Sequence, residues 1–399
     1  MTLPMAQALR EKLTPLYQRL LGPLFDRPEV VEERATCDDC VMCDKGQSVP
    51  IETEFFHPDV KCCTWMPTLA NYLVGGLFTD PSPELEEGRT RVRKVIASRI
   101  GVTPQWIAPS RKYSLLNLAS KKESFGKTPL LRCPYYNVEA GGMCSVWRYR
   151  DNVCSTWFCK HTWGKQGWEF WRAAKHYLGH VELMLSHYAM KTVDHRLKEP
   201  AVERQTITLR ELEDRPPSDE DYASYWGGWV GREEEWYIAC YEAVNKVPKE
   251  EFLRFVDGEE PGRYLLHALR TRWDQLNNQA LIPAVLLKNP KMKDRYVDDG
   301  VVITSYSPYD SFKMDRDLFD VLGFFDAKRS VDETLERLSE EHGAELTPEL
   351  LQYLYRHGVL VEPGDDPTLL APDVPPPPPA RPIAAKIAAK KDKKKKKRR

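Results

Sequence analysis

The sequence contains no hydrophobic run that approaches the length of a membrane span, so it predicts no transmembrane helix. The segment from Met1 to Leu20 also lacks the continuous apolar stretch of a secretory signal, because charged residues such as Arg10, Glu11 and Lys12 interrupt it. We therefore expect a cytoplasmic protein, in a reducing compartment that disfavours stable disulfides.

The sequence also lacks the fingerprints of several common enzyme classes. The glycine pairs Gly75-Gly76 and Gly227-Gly228 have none of the flanking residues of a phosphate-binding or dinucleotide-binding loop. No Ser-His-Asp order stands out either. The sequence alone therefore assigns no catalytic residue.

Cysteine is scarce after residue 159, where Cys240 is the only one, but it is crowded before that point. Nine of the ten cysteines lie in two groups. Thiolates at two-residue spacing can converge on one ion from a single turn of loop, as they do in zinc and iron-sulfur sites. The first group contains Cys37, Cys40, Cys43 and the adjacent pair Cys62 and Cys63, and the second contains Cys133, Cys144, Cys154 and Cys159.

Three interpretations of these cysteines compete. Free cysteines often serve as small buried hydrophobic residues, but core cysteines have no reason to recur at two-residue spacing. Redox or structural disulfide chemistry is the second interpretation, and the expected reducing compartment argues against it. The third is ligation of a soft metal or a metal cluster, and the spacing favours it.

Histidines near the second cysteine group have alternative roles. His161, two residues after Cys159, is placed to ligate a metal or to support a ligand. His176, His180 and His187 fall on one side of an ideal helix, which suits a metal site, but a solvated helix face is the alternative. Four aromatic residues would either exclude water from a metal centre or form an ordinary core: Trp147, Trp157, Phe158 and Trp163.

Charge is distributed unevenly along the chain. The net charge is −1, yet residues 381–399 hold 11 Lys or Arg and one Asp, which leaves −11 on the other 380 residues. The basic run has no interleaved aromatic residues for base stacking, so it predicts a solubilising tail or non-specific binding to an anionic partner. With the proline run 375–379, it predicts a disordered tail over residues 364–399.

Hydrophobic periodicity predicts a mainly α protein with little β structure. We expect an irregular, loop-rich cysteine-cluster metal domain with flanking helices over residues 1–199, a helical connector over 200–290, and a small hairpin-plus-helix module over 291–363. The expected helices cover residues 5–25, 65–76, 84–100, 167–197, 232–245, 249–256, 262–278, 315–325, 330–342 and 347–357.

Several local signals set the ends of these elements. Asp299-Gly300 predicts the turn of a hairpin between two apolar runs. Ser330, three residues before Glu333, predicts a capping box, and Thr347 before a proline predicts a second helix N-terminus. These signals concentrate in the C-terminal module.

The residues from Gly142 to Cys159 follow the order Cys, aromatic, Arg, Cys, aromatic, Cys. In this it resembles the YkgJ-type cysteine-cluster family, described as a zinc- or iron-chelating domain, and the resemblance covers roughly residues 34–165. The first group departs from the family pattern, because Cys43 and 18 further residues precede the adjacent cysteine pair. The resemblance implies eight ligands for zinc or iron, with Cys43 outside the set: Cys37, Cys40, Cys62, Cys63, Cys133, Cys144, Cys154 and Cys159.

Eight thiolates divide either into two four-sulfur sites or into one cluster site with cysteines left for redox work. Zinc would fill each four-sulfur set as a closed tetrahedron and serve structure. An iron-sulfur cluster would use the same ligands and add electron transfer. Spacing does not separate the two cofactors.

Residues 299–303, 318–322, 329–335 and 350–360 carry a second resemblance. The segment from about Met292 to Glu362 is similar to the PqqD-like domains, small winged-helix-like modules that bind leader peptides of ribosomally made modified peptides. This implies a peptide or protein partner bound through residues 291–363, by addition of a strand to the hairpin edge. Two functions stay open, namely modification of a peptide or protein, and a zinc-stapled adaptor that binds a partner without catalysis.

Overall fold

The computed structural model of the chain describes residues 12–21, 28, 30–44, 55–197, 207–258, 260–277 and 282–364. About 52% of the protein is helical and its few strands are short and antiparallel, which confirms the prediction of a mainly α fold. In the described ranges, every helix is too short or too polar to cross a bilayer. The predicted disordered tail after residue 364 and much of the predicted helix 5–25 lie outside the described residues.

The helices are numbered here in chain order. The larger part of the molecule contains α1 Pro15–Leu20, α2 Asn71–Thr79, α3 Glu86–Ser98, α4 Arg111–Ser124, α5 Asn152–Thr156, α6 Gly164–Val193, α7 Leu209–Leu212, α8 Asp219–Trp226, α9 Glu233–Asn245, α10 Lys249–Val256 and α11 Gly262–Asn277. The C-terminal module contains α12 Arg316–Val321, α13 Val331–His342 and α14 Pro348–Arg356.

The strands of the described residues form four small antiparallel sheets. Three of these are pairs: β1 Leu69–Ala70 with β2 Trp106–Ile107, β3 Tyr136–Asn137 with β4 Met143–Cys144, and β5 Leu287–Lys288 with β9 Leu360–Val361. The fourth sheet has the order β6 Lys293–Val297, β7 Gly300–Thr304 and β8 Phe312–Met314. Within the part of the chain that the structure describes, strand β6 pairs only with β7, so it is an edge strand of this sheet.

Helix α6 is the axis of the larger hydrophobic core. Its buried residues include Trp171, Tyr177, Val181 and Leu185, at the spacing of one helix face. Helices α2, α5, α9 and α11 contact it, and the core extends along the chain from Leu13 to Leu276. Helices from the segment 200–290 therefore belong to the same core as those of the first 199 residues.

The glycine pair in α2 corrects one expectation. The sequence predicts that Gly75 and Gly76 end a helix, but α2 continues through both to Thr79. A Cβ atom at Gly75 would lie 1.9 Å from the backbone oxygen of Tyr237 in α9. The glycines therefore permit close contact between α2 and α9, a tertiary role that local sequence signals do not report.

The C-terminal module has its own core and its predicted caps. Leu338, Leu354 and Leu360 are fully buried in a second hydrophobic cluster. The capping box of Ser330 and Glu333 forms, and the predicted hairpin forms as β6 and β7. The caps confirm the local predictions for this segment, which depend on neighbouring residues alone. The turn of the hairpin is Asp298-Asp299, one residue earlier than predicted, because Gly300 is already the first residue of β7 and pairs with Val297.

The loop between β7 and β8 joins the module to the larger part. Asp310 is buried and forms an ion pair with Arg34 at 2.7 Å, and it also accepts a hydrogen bond from the His161 amide at 3.1 Å. The ring of Tyr309 contacts Trp157 and Phe125 at centroid distances of 5.6 and 5.7 Å. These contacts bring the sheet of the module against the cysteine region.

Candidate cysteine cavity

A cavity of about 1120 Å³ lies between the cysteine region and the module. All eight cysteines that the family resemblance implies as ligands line it, whereas Cys43 and Cys240 do not. The module contributes the opposite wall through residues 291, 293–295, 302, 304–309 and 311. We call this space the cysteine cavity. Its cysteine lining is Cys37, Cys40, Cys62, Cys63, Cys133, Cys144, Cys154 and Cys159.

Short irregular elements place these thiols. The backbone of Cys133 donates to the carbonyl of Cys63 at 2.8 Å, which joins the two cysteine groups directly. Cys144 lies in β4, opposite Tyr136 of β3. None of these contacts involves a long helix or a wide sheet, so the cavity wall on this side depends on loop geometry.

Two polar side chains fix the loops that carry the cysteines. Asp151 caps α5 by accepting a hydrogen bond from the Cys154 amide at 2.8 Å. The ammonium of Lys61 donates to the carbonyls of Cys37 and Gly141, which ties the first cysteine group to the turn before β4. The two groups, separated by about 70 residues in the sequence, therefore form one wall.

Burial and mutual repulsion keep most of these thiols protonated. Burial, followed by the charge of Cys62, raises the pKa of Cys37 to about 11, and burial with the charge of Cys43 raises that of Cys40 to about 12. A hydrogen bond from Cys63 lowers the pKa of Cys62. Burial also raises the pKa of the four cysteines of the second group, namely Cys133, Cys144, Cys154 and Cys159.

Two buried cations stand beside the thiols. The guanidinium of Arg150 lies 3.6 Å from the ring centroid of Trp147, and the ammonium of Lys12 lies 3.6 Å from that of Phe158. Burial, and then the charge of Arg150, lowers the pKa of Lys12 well below its usual value. Thiolate charge on Cys37 acts in the opposite direction and favours the charged lysine. The cations and the cysteines are therefore electrostatically linked.

Aromatic rings complete the wall and shield it from water. Trp147, Trp157 and Phe158 line the cavity as the sequence suggests, but Trp163 does not and instead lies beneath the guanidinium of Arg356. The ring of Trp157 also contacts Phe125 edge-on at 5.5 Å. Aromatic rings at such distances form a packed cluster, so they serve both as core and as cavity wall.

The predicted histidines lie elsewhere. His161 is buried, and its amide binds Asp310 of the module, so it helps to join the two parts of the molecule. His180 contacts the carbonyl of Val256 at 3.0 Å. His176 and His187, on the same helix, are also absent from the cavity lining.

The thiols suit a soft metal in their chemistry but are not arranged around one point. Thiolate sulfur is the preferred donor for zinc and for iron-sulfur clusters, and eight such groups share this cavity. Among the residues with described positions, however, no three His, Cys, Asp or Glu side chains form a group that could hold a metal ion. Metal binding therefore stays a prediction.

Sequence reasoning missed the charged part of this site. Lys12 lies in a helix predicted only from its apolar positions, and Arg150 lies within the cysteine run but carries no spacing signal of its own. Tyr306 and Asp310, which hydrogen-bond to each other, lie in a loop of the module. Because Arg10 and Glu11 directly precede Lys12, no local signal distinguishes Lys12 from a solvated charge.

Comparison of the chain with protein-family models, with curated proteins and with solved structures finds no match. The two family resemblances therefore stay predictions that rest on the residues named for them.

Proposed function

We propose that this chain is a cytoplasmic metalloprotein that binds zinc or an iron-sulfur centre through its clustered cysteines and acts in the modification of a peptide or protein. One observation carries the proposal. The eight cysteines implied as ligands and the edge strand of the C-terminal module line opposite walls of one cavity. A partner held by the module would thus face the thiols.

The module supplies the partner-binding half of the proposal. A winged-helix-like peptide-binding module would add an extended peptide to a free strand edge, with main-chain hydrogen bonds providing affinity. Strand β6 has such an edge, and most of its residues are exposed. Lys293 and Arg295 of this strand line the cysteine cavity, so a peptide added there would run along the cavity mouth.

The cysteine wall supplies the metal-binding half. An iron-sulfur centre would provide electron transfer, whereas zinc in a closed set of four thiolates would hold the loops together. The residues of the chain would exclude water through Trp147, Trp157 and Phe158 and offset thiolate charge through Lys12 and Arg150. All ten cysteines are free thiols, as suits a protein of a reducing compartment.

The metal-binding part of the proposal is tested by anaerobic purification followed by metal analysis and visible absorption. We expect zinc or iron bound in a fixed ratio to protein, with broad visible absorption if an iron-sulfur cluster is present. A colourless, metal-free and fully folded protein would contradict the proposal.

A zinc-stapled adaptor is the second candidate, and the composition of the cavity favours it in one respect. Among the described residues that line the cavity there is no histidine, and the only carboxylates are Glu123 and Asp294. Acid-base chemistry at neutral pH usually relies on such groups at the reacting centre. Tightly held zinc, with no redox activity and with partner binding intact, would favour the adaptor over the enzyme.

A further inference from the structure

The cysteine cavity has a cationic lining. Eight Lys or Arg residues line it, against two acidic residues, Glu123 and Asp294. The first 380 residues of the chain carry a net charge of −11, so this local excess opposes the average charge of the protein. Walls of one sign in a cleft focus the electric field and attract ligands of the opposite sign. The cations are Lys12, Lys61, Lys127, Arg150, Lys175, Lys291, Lys293 and Arg295.

The buried end of the cavity contains a guanidinium with an unused donor. Arg150 is only 9% exposed, and its Nε donates to the carbonyl of Trp147, but its buried Nη2 has no hydrogen-bond partner. The Tyr135 hydroxyl and the Trp65 indole nitrogen, on residues that line the same cavity, are also buried without a partner. Leaving a buried donor unsatisfied is costly, particularly when the donor is charged. A ligand with acceptor oxygens would remove that cost.

The mouth of the cavity presents cations on a strand. Lys293 and Arg295 alternate along β6 and therefore share one face of the sheet. Their partners across the ladder, Thr304 and Val302, line the cavity as well, so this face is directed toward it. An extended peptide at the β6 edge would place alternate side chains next to these cations.

We infer that the peptide recognised at this cavity is acidic, with one carboxylate received by Arg150 at the buried end and others held by Lys293 and Arg295 along the mouth. This inference rests on the proposed function and names its substrate class. The carboxylate accepts hydrogen bonds from the Arg150 guanidinium, which matches it in planar, bidentate geometry.

The basic C-terminal residues 381–399 are a competing source of attraction for acidic peptides. An experiment must therefore retain them in every sample, so that peptides bound by them are common to all. The test uses phage display of random twelve-residue peptides on the full-length protein, purified anaerobically, with the metal content of each sample measured.

Four variants accompany the wild type. Arg150→Gln removes the buried charge, and Arg150→Lys retains it. The double change Lys293→Gln and Arg295→Gln removes the mouth cations from an exposed strand, where substitution leaves the fold intact. Lys249→Gln, an exposed cation of α10, is the matched control.

The wild type and the Lys249→Gln control should enrich Asp and Glu at least about threefold over the starting library, since loss of rim and buried charges changes affinity by such factors or more. The enrichment should fall toward onefold in the double variant and in Arg150→Gln, with partial recovery in Arg150→Lys. If Arg150→Gln does not fold, the double variant alone decides the outcome.

Three results would overturn the inference, and each rejects a different part of it. Enriched peptides without acidic bias would reject the substrate class but leave the proposed function in place. Acidic enrichment that is equal in wild type and double variant would assign the attraction to the basic C-terminal residues instead of the cavity. No enrichment of any sequence by metal-loaded protein would contradict the peptide-binding part of the proposed function itself.

Discussion

The C-terminal module and the cysteine region are built in opposite ways. The module combines two capped helices, α13 and α14, and a hairpin around an aliphatic core that includes Leu338 and Leu354. The cysteine region, by contrast, has two-residue strands, short helical turns and loops, and it buries charged residues such as Lys12, Asp151 and Arg150. Burial of unpaired charge is unfavourable unless a partner compensates it. The module therefore has a separate core of its own, whereas the cysteine region adds buried charge and few regular elements to the larger core.

A bound metal would supply stabilisation that the short strands and helical turns of the cysteine region do not provide. Structural metal sites contribute folding free energy directly and replace regular secondary structure in small loop-rich regions. Contact with the module also stabilises the cysteine region, through the Arg34–Asp310 ion pair and the Tyr309 ring.

Substitution of a cysteine in the second group should have the largest effect. Replacing Cys144, Cys154 or Cys159 by serine should release the metal, because each removes a thiolate from the cavity wall. Cys240→Ser is the control, since Cys240 is buried in α9 and does not line the cavity. Metal content after anaerobic purification is the measurement.

Substitution of Cys43 tests whether this residue lies outside the ligand set. Cys43→Ser should retain the metal, because Cys43 lies outside the cavity lining. If Cys43→Ser loses the metal while variants of Cys62 and Cys63 keep it, the ligand assignment implied by the family resemblance is wrong.

Truncation of a module core residue should loosen the module alone. Leu338→Ala removes a fully buried side chain of α13 and should lower the stability of the module by about 2–5 kcal/mol. Hydrogen exchange followed by mass spectrometry should show faster exchange over residues 331–361, with unchanged protection of α6 and unchanged metal content. Equal loss of protection in both segments would mean that the two regions unfold as one unit, which would contradict a separate core in the module.

Glu32 should make stability depend on pH within the cysteine region. Burial raises its pKa from 4.5 to about 7, although the Trp171 indole donates to it at 2.7 Å. The folded state therefore binds more protons than the unfolded state between these two values, so stability falls as pH rises through that window. The full shift corresponds to roughly 3 kcal/mol, which would be lost by pH 8.

Glu32→Gln should remove this dependence. The melting temperature of the variant relative to wild type should rise between pH 5 and pH 8, as measured by differential scanning calorimetry. Glu33→Gln, at the exposed neighbouring position, is the control. Parallel curves for wild type and Glu32→Gln over this range would contradict the assignment.

Loss of a helix cap in the module should have the smallest effect. The Ser330 side chain accepts a hydrogen bond from the Glu333 amide, so Ser330→Ala should destabilise α13 by about 1 kcal/mol. Hydrogen exchange over residues 331–342 measures the change. Ser339→Ala, an exposed position of the same helix, should cost nothing, and an equal effect of both variants would argue against the cap.

The module was the more predictable region, for a physical reason. Capping at Ser330 and Thr347 and the hairpin of β6 and β7 depend on residues within a few positions of one another. The continuation of α2 through Gly75 depends instead on α9, more than 150 residues later, and no local pattern encodes that contact. Packing of α2 against α9 therefore determines that the helix continues through Gly75.

The candidate site was predictable in its cysteines and in three of its aromatic residues. The family resemblance implies the eight cysteines that line the cavity, and the spacing alone indicates a cluster without excluding Cys43. The charge around them was not predictable, because Lys12 and Arg150 reach the cavity through packing against Phe158 and Trp147, contacts that the chain makes only when folded. The opposite wall comes from the module, and its position depends on the buried Asp310.

The central claim is that the clustered cysteines bind a metal within the cavity. X-ray absorption spectroscopy of the anaerobically purified protein tests it most directly, because it reports both the metal and its ligands. The account predicts zinc or iron coordinated by sulfur, with metal–sulfur distances of about 2.3 Å. A folded protein with no bound metal, or with metal coordinated only by oxygen and nitrogen, would contradict it.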